Sequence, residues 1–230
     1  QGVATAVGMA MAARYERGLL DPTAPANTSL FDHSIWVICS DGDLQEGVSA
    51  EASSLAGTQE LGNLNIIYDD NRISIEGDTH NAFTEDVAAR YRAYGWHVIE
   101  VAALSTGNID LVSLDAAMVA AKKETSKPTL IRMHSVIAWP APKAQGTAGS
   151  HGSALGVDEI KATKIALGLN PDEDFAMPAD VLAHARLVKD RGASTRATWD
   201  AKFATWKSAN PDKAALLERL RVKGLPAGWD

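Results

Sequence analysis

Four short apolar runs mark the predicted β-strands of this chain. They cover residues 35–39, 64–68, 96–101 and 129–136. The second run is apolar without alternation, as expected for a parallel strand that is covered on both faces. Stretches with apolar residues at helical spacing lie before, between and after the runs. The repeated strand–helix order predicts an α/β fold, a parallel sheet flanked by helices with right-handed crossovers.

Two of the predicted helices have defined apolar faces. In the helix at residues 3–16 this face consists of Val3, Val7, Ala10 and Met11. In the helix at residues 45–60 it consists of Val48, Ala52, Leu55 and Ala56. Thr84 and Asn108 are the predicted N-caps of two later helices, because such side chains accept hydrogen bonds from free backbone amides.

The chain changes character after the fourth predicted strand. Prolines and glycines interrupt any periodicity at residues 139–156, and a long loop of this kind in a compact domain is usually functional or mobile. Residues 170–174 are a predicted turn, and the pattern is helical from residue 178 to residue 220, with Trp199, Phe203 and Trp206 at helical spacing as predicted packing residues. The residues from Pro226 onward are typical of the start of a linker.

Composition excludes several classes of protein. The 230 residues are 46% hydrophobic, which is enough for one substantial α/β domain. A net charge of -7 argues against nucleic acid as the main partner, and no apolar run is long enough to span a membrane. The single Cys39 and the lack of a signal peptide favour a cytoplasmic location. Because Gln1 begins directly in a helical pattern, we expect a fragment.

Hard oxygen ligands follow the first two predicted strands. Asp41 and Gly42 come after the first strand, and Asn71 comes after the second. In open α/β sheets ligands bind at the carboxyl edge, where both segments would emerge. Carboxylate and amide oxygens suit a Mg²⁺ ion that bridges a diphosphate. The pattern therefore predicts a metal and diphosphate site at this edge.

Simpler interpretations of these residues stay open. An Asp-Gly pair such as Asp41–Gly42 is also common in turns, and the role of Asp41 could be limited to capping the following helix. Asp69 and Asp70 could form a solvated acidic turn, and His151 could be a solvated loop histidine.

Two longer motifs resemble the thiamine diphosphate motif of transketolases. They are the segments 41–57 and 68–75, and the shorter segments 94–98, 150–152 and 155–156 are similar to family segments in the same order. The resemblance covers nearly the whole chain but only the diphosphate-binding domain of that family, so the pyrimidine-binding and C-terminal domains are expected to be missing. It implies a partial diphosphate-binding (PP) domain at residues 1–170. Residues 171–230 would be a helical extension and the start of a linker.

The resemblance implies thiamine diphosphate and Mg²⁺ as cofactors, with Ca²⁺ able to replace Mg²⁺. The implied metal ligands are the Asp41 carboxylate, the Asn71 side-chain oxygen and the main-chain oxygen of Ile73. Gly42 would lie against the diphosphate and Ile75 beside the thiazolium region.

Three further residues have implied catalytic roles. His151 would bind substrate or cofactor groups and transfer protons, for which an imidazole is suited by its near-neutral pKa. Glu46 and Glu51 resemble interface carboxylates that share protons with an acid of the other subunit. Without the resemblance, both glutamates would be ordinary exposed helix residues.

The implied function is transfer of a two-carbon ketol unit from a ketose phosphate to an aldose phosphate, in the pentose phosphate pathway. The implied partners are sugar phosphates, the remaining transketolase domains and a second subunit, in a homodimer whose site lies at the subunit interface. We therefore expect the chain alone to be inactive. Alternatives are another thiamine diphosphate enzyme, such as a deoxyxylulose-phosphate synthase or a decarboxylating E1 subunit, and a noncatalytic Mg²⁺-binding, nucleotide-binding or scaffold module.

The chain departs from the family pattern at three places. Ser40 replaces a glycine, which requires an extended backbone there. Ala138-Trp139-Pro140 replaces a common Gly-aromatic-Gly, and Ala148-Gly149 stands where many members have a second histidine. These changes predict that the loop carrying His151 has a different shape.

Overall fold

A computed structural model describes residues 1–25 and 27–229 of the chain. The described residues form two compact units, one of residues 1–12 and 33–174 and one of residues 13–32 and the chain from Phe175 onward. The helices are α1 (Gly2–Leu20), α2 (Asp41–Gln45), α3 (Gly47–Thr58), α4 (Val87–Ala93), α5 (Leu111–Lys123), α6 (Val157–Ala166), α7 (Ala179–Ala209) and α8 (Pro211–Arg221). The strands are β1 (Ile35–Ser40), β2 (Leu64–Asp70), β3 (Ile73–Ser74), β4 (Gly77–Asp78), β5 (His97–Val101) and β6 (Thr129–His134).

The first unit contains a four-stranded parallel sheet in the order β1-β2-β6-β5. The predicted parallel sheet flanked by helices is confirmed, with β6 ending two residues before the predicted limit. β1 and β2 are neighbours, and their register pairs Ser40 with Asp69. The segments that follow them therefore begin at the same edge of the sheet. β3 and β4 form a small antiparallel hairpin outside it.

Helix α1 packs against the sheet through a slightly different stripe from the one predicted. Val3, Val7 and Ala10 are buried as predicted, but Met11 is exposed and Ala6 is buried in its place. The spacing 3, 6, 7, 10 follows one side of a 3.6-residue helix, and Met11 lies beyond its edge.

The predicted helix at residues 45–60 is two helices, and its predicted buried face is only partly confirmed: Ala56 is buried and Ala52 packs against the core. The backbone is extended at Glu46, which separates α2 from α3. Val48 and Leu55 are exposed, while Ser49, Ser53 and Ala56 are buried. Small side chains allow α3 to approach its neighbours closely.

Hydrogen bonds satisfy Ser53, one of the two buried serines of α3. The Ser53 carbonyl accepts a bond from Trp96 Nε1 at 2.8 Å, and its hydroxyl lies 3.0 Å from the Tyr91 hydroxyl. Burying this polar residue therefore leaves these groups paired.

Aspartates rather than the predicted residues cap α4 and α5. Asp86 replaces Thr84 as the N-cap of α4. Asp110 replaces Asn108 in α5, where its Oδ1 accepts bonds from the amides of Val112 and Ser113 at 3.1 Å. The hydrogen bond from the Ser113 hydroxyl lowers the pKa of Asp110, so the cap is a carboxylate beside the positive end of the helix dipole.

The aromatic residues of α7 have the packing role predicted for them. Trp199 and Phe203 stack with ring centroids 4.9 Å apart, and Phe203 also stacks on Trp206. Trp206 packs edge to face against Phe31 within the second unit. No helix in the described ranges is long and apolar enough to cross a membrane.

Substituting Gly57 by alanine is expected to destabilise the first unit. A Cβ at this position would lie 1.9 Å from the Tyr94 carbonyl oxygen, so the backbone would have to move. We expect a loss of about 1–3 kcal/mol in the free energy of unfolding, measured by denaturant titration. Gly8→Ala in α1 is the matched control, because nothing lies within 4 Å of its Cβ position. Equal stability of the two variants would contradict this account of the contact.

Candidate functional site

Asp41 lies where β1 ends and α2 begins, and its side chain is buried. The preceding Ser40 has an extended backbone, with φ −121° and ψ −174°, so serine fits where the family has glycine. The Ser40 amide donates a hydrogen bond to the Asp43 carboxylate at 2.9 Å. The turn from strand to helix is thus fixed by local bonds, and it directs Asp41 into the protein.

The Asp41 carboxylate accepts hydrogen bonds from neutral donors. The Tyr68 hydroxyl donates to Oδ1 at 2.6 Å, and the Arg72 amide donates to Oδ2 at 3.2 Å. No lysine, arginine or histidine in the described part of the chain forms an ion pair with it. Burial raises the pKa of Asp41, the bond from Tyr68 lowers it, and the nearby Asp70 charge raises it. A nearby cation would therefore stabilise the ionised form.

The Asn71 side chain holds the turn that follows β2. Its Oδ1 accepts a hydrogen bond from the Ile73 amide at 3.0 Å. Arg72 has φ 60°, in the left-handed region, and its carbonyl accepts a bond from the Thr79 amide at 3.0 Å. Since the Arg72 amide reaches Asp41, the structure brings Asp41 together with the turn formed by residues 71–73. The three predicted metal ligands belong to these two segments.

Asp70 is not part of a solvated turn, contrary to one of the simpler interpretations. It is buried, and its Oδ2 lies 2.7 Å from Arg132 Nε and 3.0 Å from His134 Nδ1. The register pairs Asp70 with His134 and Tyr68 with Arg132, so all four side chains project from the same face. The neighbouring Asp69 accepts a hydrogen bond from the Ser135 hydroxyl.

Sequence reasoning missed Tyr68 and this charged cluster. The alternation of side chains along β2 places Tyr68 and Asp70 on one face, which was a usable signal. Their partners on β6 are more than 60 residues away and depend on the strand order.

A cleft of about 340 Å³ opens beside Asp41. Its lining is mostly charged or polar and consists of Asp41, Tyr68, Asp70, Arg72, Asp78, Thr79, His80, Phe83, Thr84, Glu85, Val87 and Arg132. The histidine in this lining is His80 rather than the predicted His151. The cleft gives the Asp41 side of the sheet edge access to solvent.

The other predicted site residues lie at the surface of the chain. Gly42, Glu46, Glu51 and His151 are exposed, and 69% of Ile75 is exposed. Nothing lies within 4 Å of the position that a Cβ on Gly42 would take, so the chain leaves this backbone open to a ligand. None of these residues lines the cleft, and their roles stay predictions.

The loop before His151 has an unusual backbone at Ala138. Ala138 has φ 57°, which an alanine adopts at a cost of order 1 kcal/mol. The adjacent Trp139 donates a hydrogen bond from Nε1 to the Thr106 carbonyl at 2.8 Å. This contact ties the loop to the segment that precedes α5.

The donor set at Asp41 fits a hard divalent cation. Asp41, the Asn71 Oδ1 and the Ile73 carbonyl would offer oxygens, which Mg²⁺ and Ca²⁺ prefer. No group of three or more His, Cys, Asp or Glu suited to a metal occurs among the described residues. A site here would therefore have one carboxylate and would need further oxygens, such as those of a diphosphate. The feature that fits a divalent cation is the buried Asp41 carboxylate, which has no cationic side-chain partner in the described part of the chain.

Comparison with known proteins agrees with the motifs. The family described as "Transketolase, thiamine diphosphate binding domain" matches residues 1–226. Transketolase of Mycobacterium leprae is 51% identical over 230 residues, which are all of this chain and 32% of that protein. Transketolase of Nostoc sp. is 43% identical over the same length. The chain thus spans about a third of the curated relatives it matches.

Solved structures show the same architecture. Transketolase from Pichia stipitis in complex with sedoheptulose 7-phosphate matches with a TM-score of 0.89 and 43% identity, over 100% of this chain and 33% of that one. Transketolase from Leishmania mexicana matches with a TM-score of 0.90 and 36% identity over the same shares. The family predicted from the sequence motifs is confirmed. The chain belongs to the transketolase family, in which it corresponds to the thiamine diphosphate binding domain.

Proposed function

We propose that this chain provides the diphosphate and metal half of the active site of a cytoplasmic transketolase of the pentose phosphate pathway. The complete protein would transfer a two-carbon ketol unit from a ketose phosphate to an aldose phosphate. One observation carries the proposal: the buried Asp41 carboxylate, with no cationic side-chain partner in the described chain, contacts the turn that holds Asn71 and Ile73. Membership of the transketolase family indicates thiamine diphosphate as the ligand for which this arrangement is suited.

The residues of this chain would hold the anchor of the cofactor. Asp41, the Asn71 side chain and the Ile73 carbonyl would bind Mg²⁺, or Ca²⁺ in its place. Gly42 has no side chain and an open surface, so a diphosphate could approach its backbone closely. Bound thiamine diphosphate supplies the carbanion chemistry, and the protein supplies position and charge.

His151 and Ile75 would act at the reactive end of the cofactor. The exposed His151 imidazole would bind substrate or cofactor groups and transfer protons. Ile75 would pack beside the thiazolium region and exclude water from it. Both side chains are exposed in this chain, so other parts of the protein must enclose them.

The outer face of α3 supports a homodimer with its active site at the subunit interface. Glu51 lies on this helix near Val48 and Leu55, whose side chains are 46% and 44% exposed. Exposed apolar side chains beside carboxylates are suited to a contact with another subunit. Glu46 and Glu51 would share protons there with an acid of the partner subunit. The chain alone would lack that acid and be inactive.

Removing either side-chain metal ligand should weaken cofactor binding. In the complete protein, Asp41→Ala and Asn71→Ala should each weaken Mg²⁺-dependent binding of thiamine diphosphate at least about tenfold, equal to 1.4 kcal/mol, in calorimetric titration. Asp110→Ala is the control, because it removes a carboxylate that caps α5. Unchanged binding by both site variants would refute the metal assignment.

Adding a methyl group at Gly42 should weaken binding without disturbing the fold. The chain leaves open space at this Cβ position, so the melting temperature of the cofactor-free protein should stay as in the wild type. If the diphosphate lies against Gly42, Gly42→Ala should reduce its affinity by about tenfold in the same titration. Wild-type affinity would show that the diphosphate lies elsewhere.

Substrate tests distinguish ketol transfer from related chemistry. The complete protein should transfer a two-carbon unit from xylulose 5-phosphate to an aldose phosphate in a coupled assay and should not decarboxylate pyruvate. The 230-residue chain by itself should show no transfer. Decarboxylation of pyruvate would favour an E1-type enzyme, and transfer by the isolated chain would contradict the proposed division of the site.

A further inference from the structure

The hydroxyl of Tyr68 makes the shortest contact with the Asp41 carboxylate that the described residues provide. Its oxygen lies 2.6 Å from Asp41 Oδ1, and Tyr68 is only 2% exposed. We propose that Tyr68 is a positioning residue of the cation site, whose hydroxyl holds the Asp41 carboxylate in its metal-binding orientation. This inference rests on the proposed function, because it concerns the same metal ion.

Tyr68 is held on a central strand, whereas the carboxylate it contacts lies on a short helix. It lies in β2, which pairs with β1 on one side and β6 on the other, and its ring belongs to the main apolar core. Asp41 begins α2, a helix of five residues. A short helix offers few bonds to fix a side chain, so a donor on a central strand can determine where the carboxylate lies.

The two donors to Asp41 act on different oxygens. Tyr68 donates to Oδ1 and the Arg72 amide donates to Oδ2, which together fix the plane of the carboxylate. Each oxygen keeps further lone-pair capacity, because an ionised carboxylate has about four acceptor positions. The hydrogen bonds therefore orient the group and still leave it able to bind a cation.

Neutralisation of a negative charge does not explain why the Tyr68 hydroxyl contacts Asp41. Asp70, whose Oδ1 lies 3.4 Å from the same hydroxyl, is paired with Arg132 and His134. Asp41 has no such partner in the described chain. The neutral hydroxyl thus makes its short bond to the carboxylate that lacks a cation, although a second acceptor lies nearby. The shorter hydrogen bond to Asp41 than to Asp70 fits a role of Tyr68 in orienting a metal ligand.

Tyr68→Phe in the complete protein tests the proposal. The ring keeps its place in the core and only the hydroxyl is lost. With a fixed concentration of thiamine diphosphate, calorimetry and the Mg²⁺-dependent rise in melting temperature should both show a half-saturating Mg²⁺ concentration about 10–100 times that of the wild type. Saturating Mg²⁺ should restore full binding of thiamine diphosphate, because the ligands themselves are intact.

Tyr91→Phe is the matched control. Tyr91 is also buried, its hydroxyl lies 3.0 Å from the Ser53 hydroxyl, and burial raises its pKa to about 12. This variant loses a buried tyrosine hydroxyl without touching Asp41. Its metal-free melting temperature should fall, whereas its Mg²⁺ titration should match the wild type. A purely structural role of Tyr68 would make the two variants alike.

A second variant, Tyr68→Leu, lacks the same hydroxyl with a different side-chain volume. Circular dichroism shows which variants are folded, and every folded Tyr68 variant should show the weaker Mg²⁺ binding. Mg²⁺ binding by Tyr68→Phe as tight as in Tyr91→Phe, or tighter, would overturn the proposal. The proposal would also be overturned if folded Tyr68→Leu bound Mg²⁺ as tightly as the wild type while Tyr68→Phe bound it more weakly.

The Asp41→Ala and Asn71→Ala variants separate this inference from the proposed function. If they bind Mg²⁺ and thiamine diphosphate like the wild type, the metal assignment fails and the Tyr68 proposal fails with it. If they lose binding while Tyr68→Phe keeps it, only the positioning role is wrong.

Discussion

The parallel pairing of β1 with β2 is the interaction on which the site depends. Adjacent strands lie about 4.8 Å apart, so a single intervening strand would double the distance between the segments that carry Asp41 and Asn71. The register that pairs Ser40 with Asp69 lets both segments leave the sheet at one level. A slip of one residue would turn Tyr68 and Asp70 to the opposite face, away from Asp41. Strand order and register therefore determine both the site and its surroundings.

Two buried carboxylates in this region are stabilised in opposite ways. Asp70 is compensated within the chain by the Arg132 guanidinium, and His134 Nδ1 lies 3.0 Å from the same carboxylate oxygen. Asp41 has only the neutral donors Tyr68 and the Arg72 amide. A buried charge without a counter-charge costs stability, which proteins tolerate mainly at functional sites. The pairing of the two carboxylates distinguishes Asp70 from Asp41, the proposed metal ligand, whereas burial does not, since both are almost inaccessible.

The sequence predicts what depends on local order along the chain. Strands, their parallel arrangement and the placement of Asp41 and Asn71 at one edge follow from apolar runs and the residues just after them. The inner face of α3 follows only in part: Ala56 is buried as predicted, but hydrophobicity points to the exposed Val48 and not to the buried, hydrogen-bonded Ser53. The cluster around Asp70 could not be predicted either, because its prediction requires the knowledge that β6 lies next to β2. Long-range neighbours and small-residue packing leave little trace in the periodicity of one chain.

The turn at residues 71–73 has a kinetic consequence. Its hydrogen bonds, from the Ile73 amide to Asn71 and from the Arg72 amide to Asp41, are already closed within the protein. A cation that entered the site would contact a backbone that is already folded, so cation binding would not require local folding. Mg²⁺ gives up its water reluctantly. Loss of that water, rather than motion of the chain, would then limit how quickly the site fills.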